Sequence, residues 1–188
     1  MTELTREQVR VSRRISMVLR HRPESAGLVL DANGWVPVAD LLTALGLTRA
    51  ELDVVVEHND KSRFAVAHRA DGADWIRASQ GHSKRVRVDL DLPPAEPPAT
   101  LFHGTPAGNV ASIMREGLRS LSRHHVHLSV DVPTAVRVGR RRSADVTVLT
   151  VAAGAMAADG HTFHRSENGV WLTATVAPAY LSVEPTNP

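Results

Sequence analysis

Cations cluster where a helix is expected to stop. In "SRRISMVLRHRPESAGL", residues 12–28, an amphipathic pattern runs up to Arg20, His21 and Arg22 and meets Pro23. Cations at a helix C-terminus complement its dipole, worth roughly 0.3–1 kcal/mol, and one arginine is enough for that. Three consecutive residues fan out at ~100° each, so one or two can face solvent while the rest point inward or toward an anion. Spacing alone leaves both readings open. Arg63 opens the strand-like "RFAVAH" after a polar turn and on its own reads first as part of a solvated turn, with a functional cation as the other reading. "IRASQGHS", residues 76–83, offers a small, polar loop at Gln80, Gly81, His82 and Ser83 that could track a backbone.

The later part of the chain adds further candidates. In "LFHGT", residues 101–105, a His at a strand end is followed by Gly104 and Thr105, which permits close approach of a ligand to the backbone. "SRHHVHLS", residues 122–129, read as a strand, puts Arg123, His125 and His127 on one face at period two. A metal set of His103, His125 and His127 is disfavoured, because no carboxylate stands at a clear ligand spacing and nearby arginines repel a cation. No Gly-x-Ser-x-Gly elbow, Walker loop or HExxH is present. "GRRRSAD", residues 139–145, could bind phosphate or form a solvated helix end.

These residues need elements to position them. Thr5 with Gln8, and Thr48 with Glu51, form capping boxes that open helices one and three. Val11, Ile15, Val18 and Leu19 supply the apolar stripe of the first. Pro37 starts helix two, with Val38, Leu41, Leu42 and Leu45, and Gly46 stops it. "RFAVAH" and "DWIRA" read as strands joined across "ADGA". Three helices followed by a hairpin is the winged-helix arrangement, often used on nucleic acid. "DLDLPPAEPPAT", residues 89–100, holds four prolines and reads as a semi-rigid linker. Beyond it, "TLFHGT", "HVHLSV", "VTVLTVAA" and "GVWLTATVA" read as strands, and "AGNVASIMREGL" and "PTAVRVGRRR" as helices. The expected fold class is α+β: a first lobe over 1–88, the linker over 89–100 and a mixed-sheet lobe over 101–188.

Composition narrows the functional classes. The 188 residues contain no cysteine, which excludes disulfides and thiolate metal sites. No apolar run suffices for a bilayer span, and the polar N-terminus has no signal-like apolar core. A cytoplasmic protein is expected, with a monomer as the default. Net charge is +2, yet nearly all the positive charge is arginine, with Lys61 and Lys84 the only lysines. Arginine presents a planar fork suited to phosphate; a GC-rich genome explains the same total, so the positions carry the argument.

Taken in order, "LRHRPESAGLVLDANGWVPVADLL", "NDKSRFAV", "IRASQGHS", "LFHGT", "IMREGL", "SRHHVHLS" and "DGHTFHRSENGVWLT" resemble the NAD-dependent RNA 2′-phosphotransferases, also called tRNA 2′-phosphotransferases. The resemblance spans about residues 12–183. It implies an N-terminal winged-helix lobe that binds RNA and a C-terminal lobe with an ADP-ribosyltransferase-like fold. It also implies a reaction. An internal RNA 2′-phosphate attacks C1″ of NAD and releases nicotinamide, and the ribose 2″-hydroxyl then attacks phosphorus. The products are 2′-hydroxyl RNA and ADP-ribose 1″,2″-cyclic phosphate.

The family's essential Arg-His-Arg-Arg set corresponds to Arg20, His21, Arg63 and Arg123. The resemblance assigns NAD contacts to His103, Gly104, Thr105, His127 and Ser129, to Arg140 or Arg142 at its phosphates, and to Val170 where many ADP-ribosyltransferases carry a catalytic Glu. Glu167 is nearby but is not taken as that residue. No metal is implied. The chain departs from the family at Arg13 or Arg14, where a Lys is common, and at Ser143, where Gly is frequent. Two alternatives share some of these features: an ADP-ribosyltransferase acting on nucleic-acid terminal phosphates, and a non-enzymatic winged-helix regulator indifferent to NAD.

Overall fold

The computed structural model describes residues 4–58 and 63–183, so residues 59–62 of the "NDKSRFAV" stretch lie outside the described residues. The chain divides into two compact units, Met1–Asp91 and Leu92–Pro188. Both are mixtures of short helices and small antiparallel sheets.

In the first unit, helix α1 (Arg6–Arg20) opens as its capping box predicts: Gln8 N–H donates to Thr5 Oγ1 at 3.3 Å, and Thr5 N–H to Gln8 Oε1 at 2.8 Å. A 3-10 turn, Pro23–Ala26, follows it. Strand β1 (Val36–Pro37) leads into α2 (Val38–Leu45), which stops at Gly46 with φ 60°. The Thr48–Glu51 box opens α3 (Arg49–Glu57). Strands β2 (Phe64–His68) and β3 (Asp74–Ala78) form the hairpin, and β1 joins it to give the antiparallel order β1-β3-β2. Ile15, Val18 and Leu19 of α1 pack with Leu41, Leu52, Val55, Phe64 and Ile76 in one buried cluster. The apolar stripe is therefore the glue of this unit, since short helices hold mainly through tertiary packing. Arg69 lies 4.1 Å from the Trp75 ring and 5.3 Å from the Trp35 ring, and donates to Asp31 at 2.9 Å, tying the hairpin to the 31–35 turn.

The second unit holds strands β4 (Leu101–Pro106), β5 (Leu118–Arg119), β6 (Val126–Leu128), β7 (Val146–Val151), β8 (His164–Arg165), β9 (Trp171–Thr173), β10 (Thr175–Val176) and β11 (Leu181–Val183). Helices α4 (Val110–Glu116), α5 (Val132–Gly139) and α6 (Ala153–Ala158) connect them. Its two three-stranded sheets have orders β11-β7-β4 and β6-β9-β8, and β10 pairs with β5. Reciprocal backbone bonds between Phe102 and Ser129, at 2.9 and 2.8 Å, stitch β4 to the end of β6. Leu101, Leu128, Leu149, Val151, Met156, Phe163 and Trp171 share the core.

The Pro-rich stretch splits between the units. Asp89 N–H donates to the Ala32 carbonyl at 2.9 Å, and Arg77 to that of Leu90 at 3.2 Å. Within the second unit Ala95 N–H donates to Phe163 O at 2.8 Å, and His164 Nδ1–H to Leu92 O at 2.7 Å. Prolines lack the N–H, but carbonyls along the segment still accept.

Candidate functional site

The first unit gathers two of the sequence-identified cations. Arg20 is the last residue of α1, and its Nη2 donates to the Arg63 carbonyl at 3.1 Å. Arg63 precedes β2; its carbonyl also accepts from Ser79 N–H at 2.9 Å, and its Nη1 donates to Ser12 Oγ at 3.2 Å. Both arginines are half-buried and mounted on packed elements, an arrangement that preorganises them. His21 caps α1, its N–H donating to Met17 O at 3.0 Å, and is half-buried; Arg22 is exposed. The three consecutive cations thus separate as the helical angle demands, with Arg20 turned toward Arg63 and Arg22 toward solvent.

Ser12 is the residue that the sequence reading passed over. It is fully buried on α1, beside Ile15, Val18 and Leu19 on the helix's apolar side. A polar residue on a buried helical stripe needs a partner, and that signal was available in the spacing. Ser83 also bears on the site. Its N–H donates to the Arg20 carbonyl at 2.9 Å, while its buried Oγ has no partner among the described residues. In the 80–83 loop Gly81 and His82 are buried, while Gln80 and Ser83 are half-buried.

In the second unit, His103 sits on β4 with its Nδ1–H donating to the His127 carbonyl at 3.1 Å. Burial pushes its pKa below the ordinary value; the His127 carbonyl opposes this, and the charge of Arg142 adds to it. The ring is therefore neutral at pH 7, with the tautomer fixed and Nε2 left as an acceptor. Gly104 has a packing reason to lack a side chain. A Cβ there would run into the carbonyl oxygen of Ala135 and stand 2.7 Å from its carbon, so the missing side chain admits the backbone of α5. Thr105 is buried. Ser129 makes the bridge to Phe102, and Val170 is held at both backbone groups by the buried Ser166.

Arg123 does not stand on a strand, as period two implied. Leu121 takes the left-handed φ of 44°, and Arg123 N–H closes a turn onto Ser120 O at 2.8 Å, so the strand begins only at Val126. The Arg123 guanidinium is half-buried. Burial, then the charges of Arg142 and Arg141, lower its pKa, and it stays charged. Among the described residues no carboxylate is ion-paired with Arg123, Arg140, Arg141 or Arg142. Arg140 and Arg142 are exposed just past α5, with their N–H groups on Val136 O and Gly139 O. This is a concentration of positive charge suited to an anion. Among the described residues no group of three or more His, Asp or Glu is placed to hold a metal, and no helix is long and apolar enough to cross a membrane.

Comparisons with known proteins agree on one family. A sequence model of the RNA 2′-phosphotransferase, Tpt1 / KptA family matches residues 6–175. A chain from Streptomyces griseus described as a "Probable RNA 2′-phosphotransferase" is 56% identical over 185 residues, covering 94% of this chain and 96% of its own. Proteins of the same description from Rhizobium leguminosarum and Herpetosiphon aurantiacus are 48% and 46% identical, covering 96% and 95% of this chain and 97% and 98% of theirs. A match through most of both units leads to one conclusion: this chain belongs to the RNA 2′-phosphotransferase family.

Proposed function

We propose that the protein removes an internal 2′-phosphate from RNA by transferring it to NAD. The route passes through an ADP-ribosylated RNA 2′-phosphate and gives 2′-hydroxyl RNA, ADP-ribose 1″,2″-cyclic phosphate and nicotinamide. The observation that carries this is the coupling of Arg20 to Arg63 and of Arg63 to the buried Ser12. Guanidinium forks on a rigid mount suit a phosphate that must be gripped in one orientation. The orphaned Ser83 hydroxyl, on the residue bonded to Arg20, adds a donor that a phosphate oxygen can satisfy.

The first unit, three helices and a closing hairpin that β1 extends to a three-stranded antiparallel sheet, supports a winged-helix RNA lobe. The second supports an ADP-ribosyltransferase-like lobe that takes NAD as co-substrate. Its residues fit a dinucleotide. Neutral His103 offers Nε2 to a ribose hydroxyl, and unpaired Arg140 or Arg142 suits the pyrophosphate. His127, Ser129, Gly104, Thr105 and Val170 complete the assigned pocket. NAD supplies the electrophilic ribose carbon. A phosphate oxygen is already anionic, so no protein base need activate it, consistent with Val170 where other transferases have Glu. Arg20, Arg63 and Arg123 stabilise the charge that moves onto phosphoryl oxygens, and His21 exchanges a proton with a ribose oxygen.

The test is a 2′-phosphorylated oligonucleotide incubated with and without NAD, with the products identified. Loss of the 2′-phosphate only with NAD, together with cyclic phosphate formation, is the expected result. Survival of the 2′-phosphate refutes it. ADP-ribose retained on a 5′-phosphorylated strand, with no cyclic phosphate, would instead favour a transferase acting on nucleic-acid ends. Arg63→Ala and Arg123→Ala should each cost about 10²–10³ in turnover, the scale for removing one donor to a developing charge, or stall at the ADP-ribosylated RNA.

A further inference from the structure

A polar concavity lies apart from the residues assigned to phosphate and NAD. Its volume is about 240 Å³, and it is lined by His125, His161 and His164 with Thr162, Thr173 and Thr175. It belongs to the loop leaving α6, to β8, to the end of β9 and the start of β10, and to the residue before β6. It shares no lining residue with the set assigned to NAD, which comes from β4, β6, the segment after α5 and Val170.

Three properties define what it can take. Its lining contains no Lys, Arg, Asp or Glu, and among the described residues no group of three or more His, Asp or Glu is placed to hold a metal. It is smaller than the roughly 300–1,000 Å³ used by drug-sized ligands, which suits a single ring system. Its walls join aromatic faces to hydroxyls. The His125 and His164 rings stand 6.1 Å apart at 58°, and His164 is fixed by donating Nδ1–H to Leu92 O at 2.7 Å. His161 packs edge-on against Tyr180 at 5.6 Å, and Tyr180 donates to Asp159 at 2.6 Å. Thr173 is buried and donates to Thr162 O at 3.1 Å, which holds two walls together. A neutral, planar group with a polar edge matches this lining, and unstacked RNA bases are recognised by aromatic faces, including His, with hydrogen bonds at the edge.

We infer that this pocket receives a nucleobase of the RNA substrate, that of a nucleotide neighbouring the 2′-phosphate. The inference rests on the function proposed above, under which Arg123 grips that phosphate. Arg123 stands two residues before His125, and the chain passes directly from the one to the other. A strand held at Arg123 therefore has an aromatic pocket on the same segment, which makes a splayed neighbouring base the natural occupant. His125 and His164 supply the stacking faces, and the threonines read the edge. The adenine of NAD has the same chemistry and is the competing source.

The test measures binding of a short 2′-phosphorylated oligonucleotide by fluorescence anisotropy without NAD, beside an otherwise identical series with one neighbouring nucleotide at a time made abasic. His125→Ala strips one wall, and Ala174→Trp, at an exposed lining position, fills the space without touching the core. Loss of one stacked base should weaken binding roughly tenfold, within the range alanine substitution gives for base stacking. Expected is that one abasic position costs the wild type this factor. Each variant should lose the same on the intact strand and nothing further on that abasic strand, with KM for NAD unchanged. Three outcomes overturn the inference: abasic positions that cost nothing, variants that weaken both strands equally, or a rise in KM for NAD with RNA binding intact, which would give the pocket to adenine. Failure of the wild type to remove any 2′-phosphate would sink the proposed reaction but leave the binding comparison to decide the pocket.

Discussion

Replacing Ser12 with alanine tests whether Arg63 is positioned from beneath. The hydroxyl is fully buried on α1 and accepts from Arg63 Nη1 at 3.2 Å. A hydrogen bond to a charged group contributes about 1.5–3 kcal/mol. Alanine returns up to about 0.7 kcal/mol of helix propensity, and half-buried Arg63 regains part of its solvation. The net destabilisation should be about 1 kcal/mol. If the first unit unfolds as a small independent domain, that lowers Tm by about 4–8 °C. The catalytic loss should exceed the stability loss, because a guanidinium free to turn forfeits its orientation. On the reaction proposed here, kcat should fall roughly tenfold or more with KM for NAD unmoved, and Ser12→Thr, which keeps the hydroxyl, should recover much of it. The assays are urea titration for stability and single-turnover release of the 2′-phosphate. If Ser12→Ala matches the wild type in rate while Arg63→Ala is dead, Ser12 does not position Arg63. If both match the wild type, Arg63 has no part in the chemistry.

Other consequences follow from the second unit. Gly104→Ala should destabilise that unit by about 3 kcal/mol, the upper end of overpacking costs, because the new Cβ meets the Ala135 carbonyl on backbone that cannot turn away; an unchanged urea midpoint would contradict the close α5–β4 packing. His103 has a folded pKa below its ordinary value, so between the two values the unfolded chain binds the extra proton. Its contribution is complete above about pH 6.5, and stability falls as pH is lowered from there through the depressed value. His103→Asn should flatten that part of the stability–pH curve, and an unaltered slope would show that another group titrates there. Asp31 is held below its usual carboxylate range: burial raises it, but the N–H groups of Trp35 and Asn33 and the Arg69 guanidinium outweigh that. Its contribution is present above pH 4 or so and lost as pH falls through the lowered value, so Asp31→Asn should remove an acid-labile component seen in near-ultraviolet Trp signals.

How much of this could be read from the residues depends on how local the cause is. Both capping boxes are local, a hydroxyl and a side-chain carbonyl or carboxylate three residues apart, and both formed where the spacing placed them. The apolar stripe of α1 is local too, and it fixed which of Arg20, His21 and Arg22 turns inward. Two-residue strands such as β1, β5, β8 and β10 are not local. They exist because a partner edge is available, as where Val36–Pro37 pairs with Ile76 and Trp75, and nothing within two residues announces that. The strand reading of "VTVLTVAA" reaches Ala153, whereas β7 ends at Val151 and α6 begins at Ala153, and no side-chain cap marks the change.

Arg123 shows how a local rule fails. Period two holds only while the backbone is extended, and Leu121 leaves that region without the Gly or Asn that usually advertises a left-handed turn. The failure bears on function. A strand-borne Arg123 would share its face with His125 and His127, and the three would read as one site. In the turn, Arg123 instead lies under the electrostatic influence of Arg141 and Arg142, while the His125 ring comes to lie 6.1 Å from that of His164. One segment therefore contributes to two environments, a cationic one that suits phosphate and one of imidazole rings and hydroxyls that suits a base. Those are the two chemical components of a nucleotide chain, and their succession along three residues is the physical reason to look for RNA at both.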